Sequence, residues 1–288
     1  RGRRRALAGG RARAHGRWQE VHQVYIEDTD CFGVVFYANY FRFFGRLLAR
    51  AFAEGGQGEP VLLGVEAGRF ARAARLGDSL EVELEELPDD PARPGHRRFR
   101  ASSSIPAGTC VSAELLAAAA PVALAAGRLG AWLAAEPKAD RGPPTLISAF
   151  EDRTLPLASA LPMPSAVDVL RWFERSRTDS LGGPAQLESL QSEVGMLVVV
   201  ARLEGFELHA QAMVAAASAV DPPERSALYE VRSSVQLVSR RTRIVFDQRL
   251  YAARSSAALA DRCLARAQVT CLCVDAASLK IARCPEAL

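Results

Sequence analysis

The sequence is poor in the residues that build metal and redox centres. It has four histidines, His15, His22, His96 and His209, and none stands at metal-ligand spacing from another. Its six cysteines are scattered and form no C-x-x-C pair. Cys271 and Cys273 alternate on one face of an expected strand, and buried free thiols are the plain reading of all six. No metal or redox cofactor is implied. Uninterrupted apolar runs of membrane-spanning length are also lacking. The Ala113 to Ala126 stretch is weakly hydrophobic and broken by Pro121, so it reads as strand plus loop. Net charge is only +3, too little to argue for nucleic acid.

What charge excess there is lies at one end. Arg1, Arg3, Arg4, Arg5, Arg11, Arg13 and Arg17 stand in residues 1–17 without a single acid, and the rest of the chain is slightly acidic. This tail has too little apolar surface to offset its ordering entropy and is expected to be disordered. It suits the remnant of an organelle transit peptide or an artefact of cloning or gene prediction. The expected compartment is therefore cytoplasmic, or plastid or mitochondrial if the tail is a transit remnant.

The 288 residues, about half hydrophobic and a quarter charged, suit one large globular domain or two ordinary ones. The pattern favours two. Glu20 to Glu27 alternates as a strand, and the polar turn Asp28-Thr29-Asp30 follows. Gly33 then opens an aromatic stretch from Val34 to about Phe52, apolar on nearly every face, which predicts a helix buried all round. Gly55, Gly56 and Gly58 end it. Strands are predicted at Val61 to Phe70, Ser79 to Glu85, His96 to Ile105 and Thr109 to Ala118. An antiparallel sheet wrapped round one buried helix satisfies this order, an α+β architecture.

The second half repeats it. Val169-Leu170-Arg171-Trp172-Phe173-Glu174-Arg175 mirrors Tyr40-Phe41-Arg42-Phe43-Phe44-Gly45-Arg46 in constant register. Strands are predicted at Met196 to Val200, Leu208 to Val214, Tyr229 to Val238, Arg243 to Tyr251 and Leu264 to Val274. So long a period suggests a duplicated domain rather than a solenoid. The expected division is a tail at 1–17, one unit at 18–135, a charged, Pro-rich linker from Glu136 to Pro144, and a second unit at 145–288.

The segment Tyr25-x-Glu27-Asp28-Thr29-Asp30-x-x-Gly33-Val34-Val35-Phe36-Tyr37-x-Asn39-Tyr40 closely resembles the signature of the 4-hydroxybenzoyl-CoA thioesterase family of hot-dog proteins. Ala265 to Asp275, with Lys280 and Pro285 behind it, resembles that family's final strand. The resemblance implies a tandem hot-dog protein whose two units pair within the chain, could associate further, and carry active sites at their interface. It implies an acyl-CoA thioesterase of lipid metabolism. Asp30 matches the catalytic acid, and Tyr37 the residue whose backbone N–H polarises the thioester carbonyl. Gly33 would let the backbone approach the acyl group. Asn39 and Tyr40 would shape the acyl pocket.

Such chemistry needs a carboxylate to attack the carbonyl carbon or activate water, and donors for the charge that develops on oxygen. Free amides at a helix start supply the donors. An Asp in a turn before a helix is, on spacing alone, more often a cap; the whole signature favours catalysis for Asp30 and leaves Asp28 to capping. The second copy lacks the motif. Ser159 stands opposite Asp30, Leu157-Ala158 opposite Asp28-Thr29, and Pro162 opposite Gly33. It keeps Glu174-Arg175, a Glu-Arg pair common in the family helix, where the first copy has Gly45. That glycine suggests close helix packing or drift. The loop Ser239-Arg240-Arg241-Thr242-Arg243 resembles one that holds CoA phosphates in some relatives, so Arg240, Arg241 and Arg243 are candidate substrate ligands, with a solvated basic turn as the alternative. Three other functions stand beside the leading one. A hot-dog hydratase would need a His, and none lies near Asp30 in sequence. A non-catalytic binding or assembly subunit fits the degenerate copy. An acyl-carrier-protein thioesterase differs only in what bears the thioester.

Overall fold

The computed structural model describes residues 16–30, 32–120, 145–151, 164–210, 212–213, 228–252 and 263–285. The far N-terminal tail, the linker at 136–144, and Ser159 with its neighbours lie outside the described residues. Fifteen residues or fewer make each element but one. The first half contains β1 (Arg17–Gln23), a 3-10 turn (Ile26–Asp28), α1 (Asn39–Glu54, the exception at 16 residues), β2 (Pro60–Phe70), β3 (Ser79–Glu86), β4 (Arg97–Ile105) and β5 (Gly108–Ala119). The second half contains β6 (Thr145–Glu151), α2 (Ala166–Ser180), α3 (Gly183–Ser192), β7 (Met196–Leu208), β8 (Leu228–Val238), β9 (Arg243–Ala252) and β10 (Ala265–Asp275).

All ten strands join one sheet in the order β1-β3-β4-β5-β2-β7-β10-β9-β8-β6. Taken inward from either edge, each half runs first, third, fourth, fifth, second strand. The halves meet where β2 pairs antiparallel with β7, Val65 opposite Phe206 and Gly68 opposite Leu203. Two glycines make that approach possible. A β-carbon on Gly64 would lie 3.0 Å from the Phe206 carbonyl oxygen, and one on Gly68 would lie 3.2 Å from that of Leu203. Alternation sets the faces: on β3, Leu80, Val82 and Leu84 are buried and their neighbours are not.

The helix α1 lies against β1, β2 and β3, while α2 lies against β6, β8 and β9. Phe41, Phe43, Phe44, Leu47, Leu48 and Phe52 of α1 are almost wholly buried, each contributing about 1.5–3 kcal/mol by leaving water. The other side carries Arg42, Arg46, Ala49, Arg50 and Ala53, all exposed. The helix is therefore amphipathic and not buried all round, because the sheet covers one side only. It also starts at Asn39 and not near Val34. Val34 and Val35 make β-bridges to Arg75 and Thr29 instead, as β-branched residues favour. Gly45 does not mark a tight contact, since a β-carbon there would meet nothing within 4 Å.

Three further expectations are corrected. The first strand is Arg17–Gln23, so an arginine assigned to the tail opens the sheet and pairs with Glu83. The strand expected from Met196 to Val200 runs on to Leu208 as β7, of 13 residues; Gly205 takes φ 58° inside it and bends without ending it, and Ala210, Ala212 and Met213, expected in a further strand, are helical. In the second half, two described helices, α2 and α3, stand where one was expected. The side chain of Ser165 caps α2 by accepting from Asp168 N–H. Gly182, left-handed at φ 93°, then breaks the chain before Pro184 starts α3. No described helix is long and apolar enough to cross a membrane.

Candidate active site

Asp30 lies in a tight loop between the 3-10 turn and α1. Its N–H donates to the Val34 carbonyl at 2.9 Å, and Gly33 N–H donates to the Asp30 carbonyl at 3.0 Å. Its carboxylate Oδ1 accepts from Phe32 N–H at 2.9 Å and Val34 N–H at 3.4 Å. Gly33 takes φ 71°, with open space where a side chain would stand. The backbone conformation, not crowding, is what asks for glycine there. Asp30 does not cap α1: the N-cap position is Ala38 and no side chain caps the helix. Asp28 has the structural role. It is buried, accepts from Tyr25 N–H at 3.0 Å, and is held by His22 Nε2 at 2.8 Å. The one histidine near this loop is thus engaged with Asp28.

The Asp30 carboxyl group is half-buried, and its pKa is raised above the ordinary aspartate value. Burial is the main cause, Glu174 on α2 pushes the same way, and the Phe32 and Val34 amides oppose it. A carboxylate so placed is a stronger base than one in water. At the start of α1, Asn39 N–H donates to the Phe36 carbonyl at 2.8 Å. The N–H groups of Tyr37 and Ala38 have no acceptor among the described residues. These are the orphan donors every helix start leaves, and the helix dipole makes them attractive to negative charge.

The remaining candidates near this loop tie it to the second half. The Tyr37 hydroxyl donates to the Leu170 carbonyl of α2 at 2.7 Å, and burial raises its pKa. Asn39 is buried; its Nδ2 donates to the Asp28 carbonyl at 2.9 Å, and its Oδ1 accepts from Arg171 of α2 at 3.2 Å. The buried Tyr40 hydroxyl accepts from Ala74 N–H at 3.1 Å. Arg177, 2% exposed, lies over the Tyr37 ring at 5.1 Å. It donates to Gln248 Oε1 at 2.6 Å and pairs with Glu174. Arg175, next to Glu174 in the chain, is exposed. Helical geometry explains this, because a residue three positions on shares the glutamate's face and the next residue does not.

A second feature lies at the turn between β8 and β9. Ser239, Arg240 and Arg241 take φ of 53°, 56° and 66° in succession. Arg240 and Arg241 line an open pocket of about 480 Å³ with Arg283, Cys284 and Pro285. Arg243 does not line it; it opens β9 and is exposed. The pocket's far wall is the chain beyond β10, which returns along it through the Val274–Ile281 bridge. Cys284 N–H donates to the Arg241 carbonyl at 2.6 Å, and the Arg241 guanidinium donates to the Pro285 carbonyl. This return sets Cys284 against Cys273, and the two form a disulfide. Free thiols were expected throughout, and Cys110, Cys263 and Cys271 are free. Burial raises the Cys271 pKa to about 12. Neither Arg283 nor the disulfide could be read from spacing, since only the turn after Asp275 brings them to this place. Among the described residues, no cluster of three or more His, Cys, Asp or Glu is arranged to hold a metal ion.

No family model and no curated protein matches the sequence. The fold has many counterparts among solved structures. A Lactobacillus plantarum protein assigned as an oleoyl thioesterase superposes with a TM-score of 0.55 at 8% identity, covering 89% of this chain and 96% of its own. The 12:0-ACP thioesterase of Umbellularia californica gives 0.56 at 10% identity, covering 88% and 93%. An acyl-ACP thioesterase of Bacteroides thetaiotaomicron gives 0.50 at 12% identity, covering 89% and 97%. At these identities the likeness defines the fold: one large antiparallel sheet carrying a few helices, as in thioesterases of hot-dog type.

Proposed function

We propose that this chain is a tandem of two hot-dog units, at 18–135 and 145–288, and that it hydrolyses an acyl-CoA thioester with Asp30. What supports the tandem reading is the strand order shared by the two halves. The observation that carries the function is the half-buried Asp30 carboxylate of raised basicity in the loop leading to the free amides at the start of α1. Asp30 takes a proton from water as the water oxygen attacks the thioester carbonyl carbon. The carbonyl oxygen, gaining negative charge, accepts from the Tyr37 N–H and its neighbour. The carbon–sulfur bond breaks, its electron pair leaves with the sulfur, and the proton held by Asp30 passes to that thiolate. Direct attack by Asp30 would instead give an anhydride that water cleaves; the same residue is required. Gly33 keeps the loop in its conformation, while Asn39 and Tyr40 back the acyl site.

Arg240 and Arg241, joined by Arg283, are assigned to the phosphates of the substrate's nucleotide. Guanidinium forks suit phosphate oxygens, and an open pocket admits them. The acyl-carrier-protein substrates named for two of the structural neighbours make a carrier-borne thioester the second reading, since both carriers present the acyl group on phosphopantetheine. The test is thiol release from benzoyl-, short-chain and long-chain acyl-CoA and from acyl carrier protein. Asp30→Asn should abolish most release and Asp28→Asn much less. Full activity in Asp30→Asn overturns the site. No release from any substrate favours a non-catalytic binding subunit.

A further inference from the structure

The second half of the protein carries a buried polar chain that its fold does not require. Ser176 and Ser233 hydroxyls lie 2.8 Å apart. Gln248 Nε2 donates to Ser233 Oγ at 3.0 Å and to the Phe173 carbonyl at 2.9 Å. Arg177 donates to Gln248 Oε1 and pairs with Glu174. Ser176, Arg177, Ser233 and Gln248 are all 2% exposed or less, and the chain emerges only at Glu174, whose side chain is 32% exposed. Placing a guanidinium in a protein core is costly unless every partner is satisfied. The first half shows an apolar solution for the same helix. In the register that sets Phe173 opposite Phe44, Ser176 and Arg177 stand opposite Leu47 and Leu48, both fully buried, and Glu174 stands opposite Gly45.

The losses are complementary. The half with Asp30 has glycine, Gly45, where Glu174 would be, and the half with Glu174 has serine where Asp30 would be. Across the contact between α1 and α2, Glu174 reaches the Asp30 loop through Arg177, with which it pairs. Tyr37, in the loop that leads from Asp30 into α1, is bonded to Leu170 and lies beneath Arg177.

We propose that Glu174, fixed by the Arg177–Gln248–Ser233–Ser176 chain, is a positioning residue of the Asp30 site, so that the one working site is assembled from a carboxylate of each half. This rests on the thioesterase reading of Asp30 and adds a residue that raises its basicity further, burial being the larger cause. Glu174 acts through Asp30: its negative charge favours a proton on the neighbouring acid, which strengthens Asp30 as the base that deprotonates water. The charged and titratable groups facing Glu174 are Arg177 on its own helix, Asp30 and Tyr37 from the loop before α1, and Cys271 from β10. Tyr37 and Cys271 have raised pKa values and stay neutral near pH 7. Arg177 stays charged: burial works to lower its pKa, but Glu174, Tyr37 and Cys271 together raise it. The one acid left to respond is Asp30.

The test reads Asp30 directly, by carbon NMR of the whole chain carrying labelled aspartate carboxyls, the Asp30 signal being identified by its loss in Asp30→Asn. Glu174→Gln should move the Asp30 titration midpoint to lower pH, and Glu174→Asp should restore it in part. The acid limb of kcat should move the same way, with kcat above the limb falling several-fold and KM little changed. Gly45→Glu, which places a carboxylate in the open space of the other half, should leave the midpoint where it is. An unmoved midpoint in Glu174→Gln, or KM rising while the acid limb stays, overturns the proposal. Full hydrolysis by Asp30→Asn instead overturns the thioesterase assignment of Asp30, and the midpoint still reports on Glu174.

Discussion

Arg177→Met tests whether the buried chain stands or falls with its guanidinium. The substitution removes a 2.6 Å bond to Gln248, charge-assisted and worth about 1.5–3 kcal/mol. It removes the cation over the Tyr37 ring at 5.1 Å, worth about 1–2 kcal/mol where water is excluded. It leaves Gln248 Oε1, in a residue with no exposed surface, without its donor. The ion pair adds little, because the Glu174 carboxylate is one-third exposed. Methionine fills much of the space and offsets part of the loss. The net expected cost is about 2–4 kcal/mol, seen as a Tm lowered by roughly 5–10 °C in thermal unfolding followed by circular dichroism. Arg175→Met, exposed on the same helix, should change stability by less than about 0.5 kcal/mol. If the two variants melt within a degree of each other, the chain through Gln248 contributes nothing and the reasoning fails.

Asp30 should oppose folding stability. An acid whose folded pKa is raised binds its proton more tightly when folded, so the stability it contributes falls as pH rises from the ordinary aspartate value through the raised one. Asp30→Asn should therefore raise Tm at pH 7 and leave it unchanged near pH 3; a lowered Tm at pH 7 contradicts the burial argument. Gly45→Ala should stabilise the protein by about 0.5–1 kcal/mol in urea unfolding, since the helix gains its propensity and the added methyl meets no neighbour within 4 Å. Arg240→Ala and Arg283→Ala should each raise KM for acyl-CoA roughly tenfold and leave KM for a short thioester without the nucleotide unchanged. Equal effects on both substrates would show that the pocket does not bind the nucleotide.

Much of the fold is legible locally. Ser79 to Glu86 alternates and is a strand with one buried face. The acid-turn-glycine-aromatic order at Asp28 to Tyr40 marks a distinctive loop, and the structure gives it a half-buried carboxylate and free helix amides. Local pattern misjudged α1 as buried all round, because hydrophobic count does not say how much of a helix the sheet reaches.

What the sequence determined by itself was most of the strands, the two long helices and the loop that carries Asp30, all of which depend on residues a few positions apart. The tertiary structure alone decided which distant groups meet. The β2–β7 pairing through Gly64 and Gly68 brings the halves into one sheet. The turn after Asp275 carries Arg283 and Cys284 to the β8–β9 arginines. The contact between α1 and α2 sets Arg177 over the Tyr37 ring. Electrostatic and packing energies depend on distance in space, and chain order does not encode that distance until the sheet has closed.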